Sequence, residues 1–230
     1  MILSNECYLR DRCNKNIKGN CSLDEPGFCP KLFKLDYLYN ESLLSMEQRK
    51  HVALRIDADG TDKEQFLKLK SIESNIEDFV KSGSNLYIHS NTCGNGKTAW
   101  SLRLIQSYLG AIWHKCDLNC KTLFINVPRF LLALKDNITD KNSYIQHIKK
   151  YVLDADLVVW DEIATKAATQ FEHENLLSLI NTRIDYNKSN IYTSNLSPDE
   201  IKERLGDRLY SRIVNLSTDI ELFGSDKRGI

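Results

Sequence analysis

Several features are missing from this chain of 230 residues, and each absence narrows what it can be. No run of about 18 apolar residues exists, so no segment is long enough to cross a bilayer as a helix. The amino terminus turns polar at once, Met1-Ile2-Leu3 giving way to Ser4-Asn5-Glu6, and lacks the apolar core of an export signal. Net charge is missing too, because 31 Lys and Arg balance 31 Asp and Glu. A global electrostatic pull toward nucleic acid or a lipid surface is thereby excluded, and any such binding has to come from a local patch. No internal repeat or low-complexity tract interrupts the sequence. What is present, 42% apolar and 27% charged residues, is the composition of a globular protein of one or two domains, expected in the cytosol and away from membranes.

Apolar residues are scarce at the start of the chain. Cys7, Cys13, Cys21 and Cys29 lie there among Asn, Lys, Gly, Asp and Pro, with hardly anything to build a core. Such a segment needs a staple. In a reducing cytosol four thiolates suit tetrahedral Zn²⁺, which contributes folding energy directly. The gaps of 5, 7 and 7 residues are wider than those of zinc knuckles, and free thiols in a loose tail, an iron–sulfur cluster and disulfides stand as alternatives. Zinc is the expectation. Cys93, Cys116 and Cys120 read as isolated small residues.

The strongest signal runs from Asn85 to Leu104. Asn85-Leu86-Tyr87-Ile88-His89 has the residues of a short strand, and Ala99-Trp100-Ser101-Leu102-Arg103-Leu104 those of a helix. Between them, Asn91-Thr92-Cys93-Gly94-Asn95-Gly96-Lys97-Thr98 is a Gly-containing turn ending in Gly-Lys-Thr. Strand, turn and helix in that order make a P-loop, whose backbone N–H groups and helix dipole cradle the phosphates of a nucleoside triphosphate. Lys97 would reach the β- and γ-phosphates, and the Thr98 hydroxyl would ligate Mg²⁺. Asn91 stands where the usual pattern has its first Gly; Asn tolerates positive φ better than other non-Gly residues, so the turn can still form.

Residues 31–82 read as a helical connector. An imperfect apolar stripe runs over residues 41–56, Asp57-Ala58-Asp59-Gly60 is a turn, and Thr61 with Glu64 has the pattern of a capping box for a helix that Gly83 ends. Beyond the P-loop helix, residues 121–127 form a second buried strand, and Pro128 opens a helix. The segment 129–151 mixes Arg129, Lys135, Lys141, Lys149 and Lys150 with Phe130, Tyr144 and Tyr151. That mixture could track single-stranded nucleic acid, or be an ordinary solvated helix pair.

Leu157-Val158-Val159-Trp160-Asp161-Glu162 is a short apolar strand that delivers two acids at its C-terminal end, a Walker B element. Asp161 would hold the Mg²⁺ shell and Glu162 would polarise the attacking water. A helix is predicted over Gln170–Tyr186, then the strand Asn190–Asn195, whose last residue suits a sensor that orients that water. Ser197-Pro198-Asp199-Glu200 starts a further helix. Arg208 and Arg212, four apart, fall on one helical face.

The series Gly94-x-Gly96-Lys97-Thr98, Trp160-Asp161-Glu162, Thr193-Ser194-Asn195-Leu196-Ser197, Arg208 to Arg212 and Gly224-Ser225-Asp226-Lys227-Arg228 resembles the AAA+ ATPases of the DnaC/DnaI helicase-loader family, phage forms included, and is similar to the transposition ATPase IstB. The resemblance spans residues 86–228 and implies an α/β fold: an αβα sandwich around a five-stranded parallel sheet, with a reduced or absent C-terminal lid. It implies an ATPase using ATP and Mg²⁺, with single-stranded DNA and a replicative hexameric helicase as partners. It also implies an arginine finger at Arg212 acting on a neighbouring copy, Arg208 being the fallback, and a late arginine at Arg228. In some loaders the helicase-gripping part binds zinc, in keeping with the early cysteines. The expected organisation is a Cys-rich region over 1–40, a helical connector over 41–82 and the ATPase domain over 83–230. Action with a transposase on duplex DNA is the alternative; a small-molecule kinase fits Asp161, Glu162 and Asn195 less well.

Overall fold

The computed structural model describes residues 7–21, 28–50, 54, 60–136, 142–165 and 169–223. Five strands, β1 (Asn85–His89), β2 (Thr122–Asn126), β3 (Leu157–Asp161), β4 (Ser189–Ser194) and β5 (Ser217–Glu221), form one parallel sheet in the order β2-β3-β4-β1-β5. β1, which feeds the P-loop, therefore lies inside the sheet between β4 and β5. All five residues of β1 and of β3 are buried, as parallel strands covered on both faces require.

The period-two alternation of the strands sorts their side chains into two layers. Leu86, Ile88, Phe124, Leu157, Val159, Ile191 and Ile220 face one layer. That layer contains α2 (Pro30–Glu41), α4 (Lys63–Ser74), α5 (Ile76–Lys81) and α6 (Lys97–Ile112), following the short turn α1 (Asn14–Ile17) and the single-turn α3 (Met46–Arg49). Tyr87, Leu123, Ile125, Val158, Trp160 and Tyr192 face the other. There they meet α7 (Val127–Asp136), α8 (Ser143–Tyr151), α9 (Gln170–Asp185) and α10 (Pro198–Tyr210). The result is the expected αβα sandwich. No helical lid follows β5 among the described residues, and no helix among them is long and apolar enough to cross a membrane.

The N-terminal helices depart from the sequence reading. Leu43 has φ 64°, so the chain breaks where a stripe over 41–56 predicts continuity, and among the described residues of that span after the break α3 forms, capped by Ser45 and Gln48. Residues 55–59 of the predicted turn lie outside the described residues. The predicted helix from Thr61 to Gly83 is two helices, α4 and α5, broken at Asn75, and the cap residue is Asp62 rather than Thr61. Helix α2 starts on Pro30 with Cys29 as its cap, a Pro-first start that the apolar pattern alone does not reveal. Leu35, Leu38 and Tyr39 of α2 join the same buried cluster as Leu86 and Ile88 of β1, so this helix is part of the layer beside the P-loop strand.

Candidate nucleotide site

Sheet register lines up the chemistry. Asn126 pairs with Asp161 across β2 and β3, and Trp160 pairs with Tyr192 across β3 and β4, which puts Thr193 beside Asp161. His89, the last residue of β1, pairs with Ser194 and leads into the P-loop. All are C-terminal strand ends, where open α/β sheets take their ligands.

The loop between β1 and α6 is wound as a cradle. Gly94 and Gly96 have φ 77° and 106°, the left-handed region that a side chain disfavours. Asn91 is not in that region, so the missing first Gly costs the turn nothing. Gly96 caps α6, whose 16 residues direct free N–H groups and a partial positive charge at the loop. Lys97 is buried and folded back: its Nζ donates to the carbonyls of Thr92 at 2.8 Å and Ser90 at 3.3 Å, and to Asn95 Oδ1 at 3.2 Å. Anionic phosphate oxygens are stronger acceptors than these neutral ones and can replace them. The buried Asn95 amide donates to Ser90 Oγ and to the Leu222 carbonyl at 3.0 Å, tying the loop to the chain just past β5. Thr92 and Cys93 are exposed on the loop surface.

Thr98 Oγ1 donates to Asp161 Oδ1 at 2.9 Å, and Thr193 Oγ1 donates to the same oxygen at 2.8 Å. Burial pushes the Asp161 carboxyl above the usual carboxylate range and the Glu162 charge adds to this, while the two hydroxyl bonds oppose it. A buried carboxylate with only neutral donors is the setting in which a divalent cation is most favoured, so this donor set fits Mg²⁺. Glu162 has φ 59° and an exposed side chain. Its Oε2 accepts from Asn126 Nδ2 at 3.2 Å, and its backbone N–H donates to Thr193 Oγ1 at 3.0 Å.

The structure thus brings together Thr98, at the end of the loop from Asn91, and Asp161, with Glu162 directly after it. Asn195 sits half-buried just past β4, but the residue of that strand that bonds Asp161 is Thr193. Asn126 and Thr193 were missed by sequence reasoning. Their signal is a polar residue at or next to the C-terminal end of an apolar strand, and it becomes legible only once the strand order is known.

Arg212 lies on a π-helical turn, Ser211–Asn215, that follows α10. Arg208 stands in the last turn of α10, beyond the break at Gly206 (φ 74° and ψ 170°), and the winding changes from α to π at Ser211, so Arg208 and Arg212 do not ride one regular α-helix as predicted. Both still line one cavity of about 330 Å³ with Leu177, Asn181, Asp207 and Ser211, and Arg212 Nε donates to Asn181 Oδ1 at 2.7 Å. Arg228 lies outside the described residues. In the basic and aromatic segment, Arg129 sits over the Tyr144 ring at 4.5 Å, Lys150 over Tyr151 at 4.5 Å, and Lys135 pairs with Glu172 at 3.0 Å. These cations are exposed yet have partners within the fold; Lys149 is exposed too, and Lys141 lies outside the described residues.

The expected zinc site is not assembled. Cys7, Cys13, Cys21 and Cys29 are half-buried free thiols. Burial pushes the Cys7 thiol up, against a backbone bond from Leu9, and the nearby thiols of Cys29, Cys13 and Cys21 add to the rise. Yet among the described residues no three Cys, His, Asp or Glu side chains converge as metal ligands. Cys13 lies between the 3₁₀ turn Arg10–Arg12 and α1, and Cys29 Sγ accepts the Leu32 N–H at the start of α2.

A P-loop after β1, a Walker B acid at the end of β3 with β4 inserted between the two strands, and this sheet order define a P-loop ATPase of the AAA+ class. The family model of the bacterial DnaA ATPase domain matches residues 69–218, and the chain belongs to that family. Among solved structures it is similar to the DnaC helicase loader, with 19% identity, a TM-score of 0.55, and 70% of this chain and 89% of that one covered. It is similar to DnaI, with 19% identity, a TM-score of 0.59 and coverages of 82% and 94%. It is also similar to a replication initiator DnaA bound to AMPPCP and single-stranded DNA, with 17% identity, a TM-score of 0.54, and 72% of this chain but 47% of that one covered. At these identities the likeness is one of fold. Comparison with curated proteins finds no match.

Proposed function

We propose that this chain is an ATP-dependent loader that binds single-stranded DNA and delivers a replicative hexameric helicase to it. The observation that carries the reading is the 2.9 Å contact between Thr98 and Asp161, which joins the P-loop helix to the Walker B strand, on a fold shared with a helicase loader. Lys97 and the N–H groups opening α6 bind the β- and γ-phosphates. Thr98 and Asp161 would hold Mg²⁺, which supplies charge neutralisation at those phosphates when bound. Glu162 takes the proton of the attacking water, and Asn195 orients that water. Arg212, presented on its π-turn with Nε fixed by Asn181, reaches the site of a neighbouring copy and meets the charge developing on the transferred phosphoryl group; such a finger is worth about 10³–10⁵ in rate. Residues 83–230 act as the ATPase domain and 41–82 as its connector. The 1–40 region faces the helicase, where Phe28 and Phe33 meet at a tilt with ring centres 5.4 Å apart while 64% and 63% exposed.

The test is transfer of a purified replicative helicase onto single-stranded DNA by the full chain, with and without ATP. ATP-dependent transfer is expected. Lys97→Ala should weaken nucleotide binding by about 100-fold or more, because two charge-assisted phosphate contacts are lost, and should abolish the ATP effect. Arg212→Ala should bind ATP normally yet hydrolyse it poorly, and mixing the two variants should restore part of the ATPase activity. Transfer indifferent to nucleotide would refute the loader reading, and co-assembly without recovery would remove Arg212 from its role.

A further inference from the structure

The Walker B turn is held in a backbone shape that ordinary residues avoid. Glu162 at φ 59° and Ala164 at φ 64° are both left-handed, and such conformations persist only where neighbours over-determine them. For Asp161 to Ile163 the over-determination comes from one place on β4, while the Ala164 carbonyl accepts from Arg204 Nη1 at 3.1 Å. Thr193 Oγ1 donates to Asp161 Oδ1 at 2.8 Å and accepts the Glu162 N–H at 3.0 Å. The Thr193 carbonyl accepts the Ile163 N–H at 2.8 Å, and Ser194 Oγ donates to the Ile163 carbonyl at 2.8 Å. Three consecutive residues, Asp161 to Ile163, are therefore pinned from two consecutive residues of the next strand. Thr193 is 1% exposed, so water cannot stand in for its hydroxyl.

The two threonines on Asp161 differ in what they can do. Thr98 stands on the P-loop helix, and its hydroxyl is the one that a metal would draw away. Thr193 has both hydrogen-bonding directions of its hydroxyl in use, one to the metal-facing acid and one to the backbone of the proposed base. It can remain in place whether the site is loaded or not. Asp161 is then never without a donor that fixes the carboxylate plane, and the backbone of Glu162 is set by the same oxygen atom.

We propose that Thr193 is a positioning residue whose hydroxyl sets Asp161 for Mg²⁺ capture and, through the Glu162 backbone, sets the aim of the hydrolytic base. The proposal rests on the reading of Asp161 as the metal-holding acid. It couples two properties that are separable in principle, the Mg²⁺ requirement for nucleotide binding and the turnover number.

The experiment compares Thr193→Val, which keeps shape and removes the hydroxyl, with Thr193→Ser, which keeps the hydroxyl. A fluorescent ATP analogue reports binding as Mg²⁺ is titrated, and ATPase assays give kcat and KM separately. In Thr193→Val the Mg²⁺ concentration for half-maximal tight binding should rise about 10–100-fold, the range expected when a group orienting a metal ligand is lost. Binding without Mg²⁺ should be unchanged and kcat should fall about tenfold or more. Thr193→Ser should restore both to within about twofold of the parent. Should Thr193→Val not fold, as judged by circular dichroism, Thr193→Ala carries the same expectation. Asp161→Asn separates the two levels of inference. If it alone loses the Mg²⁺ requirement while the hydroxyl-free variants keep the parent's, the role of Thr193 is overturned. If Asp161→Asn also behaves like the parent, the metal reading falls and Thr193 falls with it.

Discussion

The two ends of the sheet both bury charge and treat it in opposite ways. At the N-terminal strand ends, Arg183 is 0% exposed and burial lowers its pKa to about 10. Its donors are nonetheless engaged: Nε to Asn190 Oδ1 at 2.7 Å, Nη1 to the carbonyls of Val152 and Ala155 at 2.5 and 2.8 Å, and Nη2 to the Ser189 carbonyl at 2.6 Å. Asn190 is in turn held by Asn85 and by Trp160 Nε1. At the C-terminal ends, Asp161 has two hydroxyl donors and no cation among its described partners. A buried charge with four of its five N–H donors engaged organises the fold. A buried charge whose neutral donors leave it uncompensated is poised for a ligand. The same sheet shows both within the length of one strand.

The sharpest way to break this comparison is at the Arg183 end. Arg183→Met leaves the carbonyls of Val152, Ala155 and Ser189 without their donor, and should cost about 3 kcal/mol or more of stability in urea unfolding, since each unpaired buried group costs about 1–3 kcal/mol. Nucleotide affinity of the folded fraction should stay that of the parent; a selective loss of affinity would erase the distinction between the ends. Asp161→Asn should act in the reverse sense. The carboxyl of Asp161 has a folded-state pKa above its ordinary value of 3.8. Its stabilising contribution is therefore full below that value and is lost as pH rises through the folded-state pKa. At neutral pH the variant without nucleotide should show a higher urea midpoint than the parent, with the gap closing toward pH 4, while the Mg²⁺-dependent gain in nucleotide affinity disappears. The smallest effect belongs to Trp160→Phe, which removes one donor from Asn190 and should cost about 1 kcal/mol without altering ATP binding.

The strands were legible because their patterns are local. Asn85–His89 is observed over the predicted residues, and the predicted strands at 121–127 and 190–195 differ from β2 and β4 by a residue at their ends. The Ser197 and Glu200 capping box forms as expected. The last strand was less visible: it runs over Ser217–Glu221, and an edge strand with one side open can be mostly polar. What sequence could not give is adjacency. Thr193 reads as a β-branched strand residue until β4 is known to lie beside β3, and Asn126 reads as a strand terminus until Glu162 is found next to it. The cysteine spacing finds no support: among the described residues no three Cys, His, Asp or Glu side chains converge as metal ligands.

One further property follows from the Asn95 amide, which bonds the Leu222 carbonyl while the Leu222 N–H bonds the His89 carbonyl. The last described turn of chain is thereby stitched to both ends of the phosphate loop. A shift of Leu222 would therefore be felt at two points of that loop at once, so the strand edge and the loop are coupled as one mechanical unit.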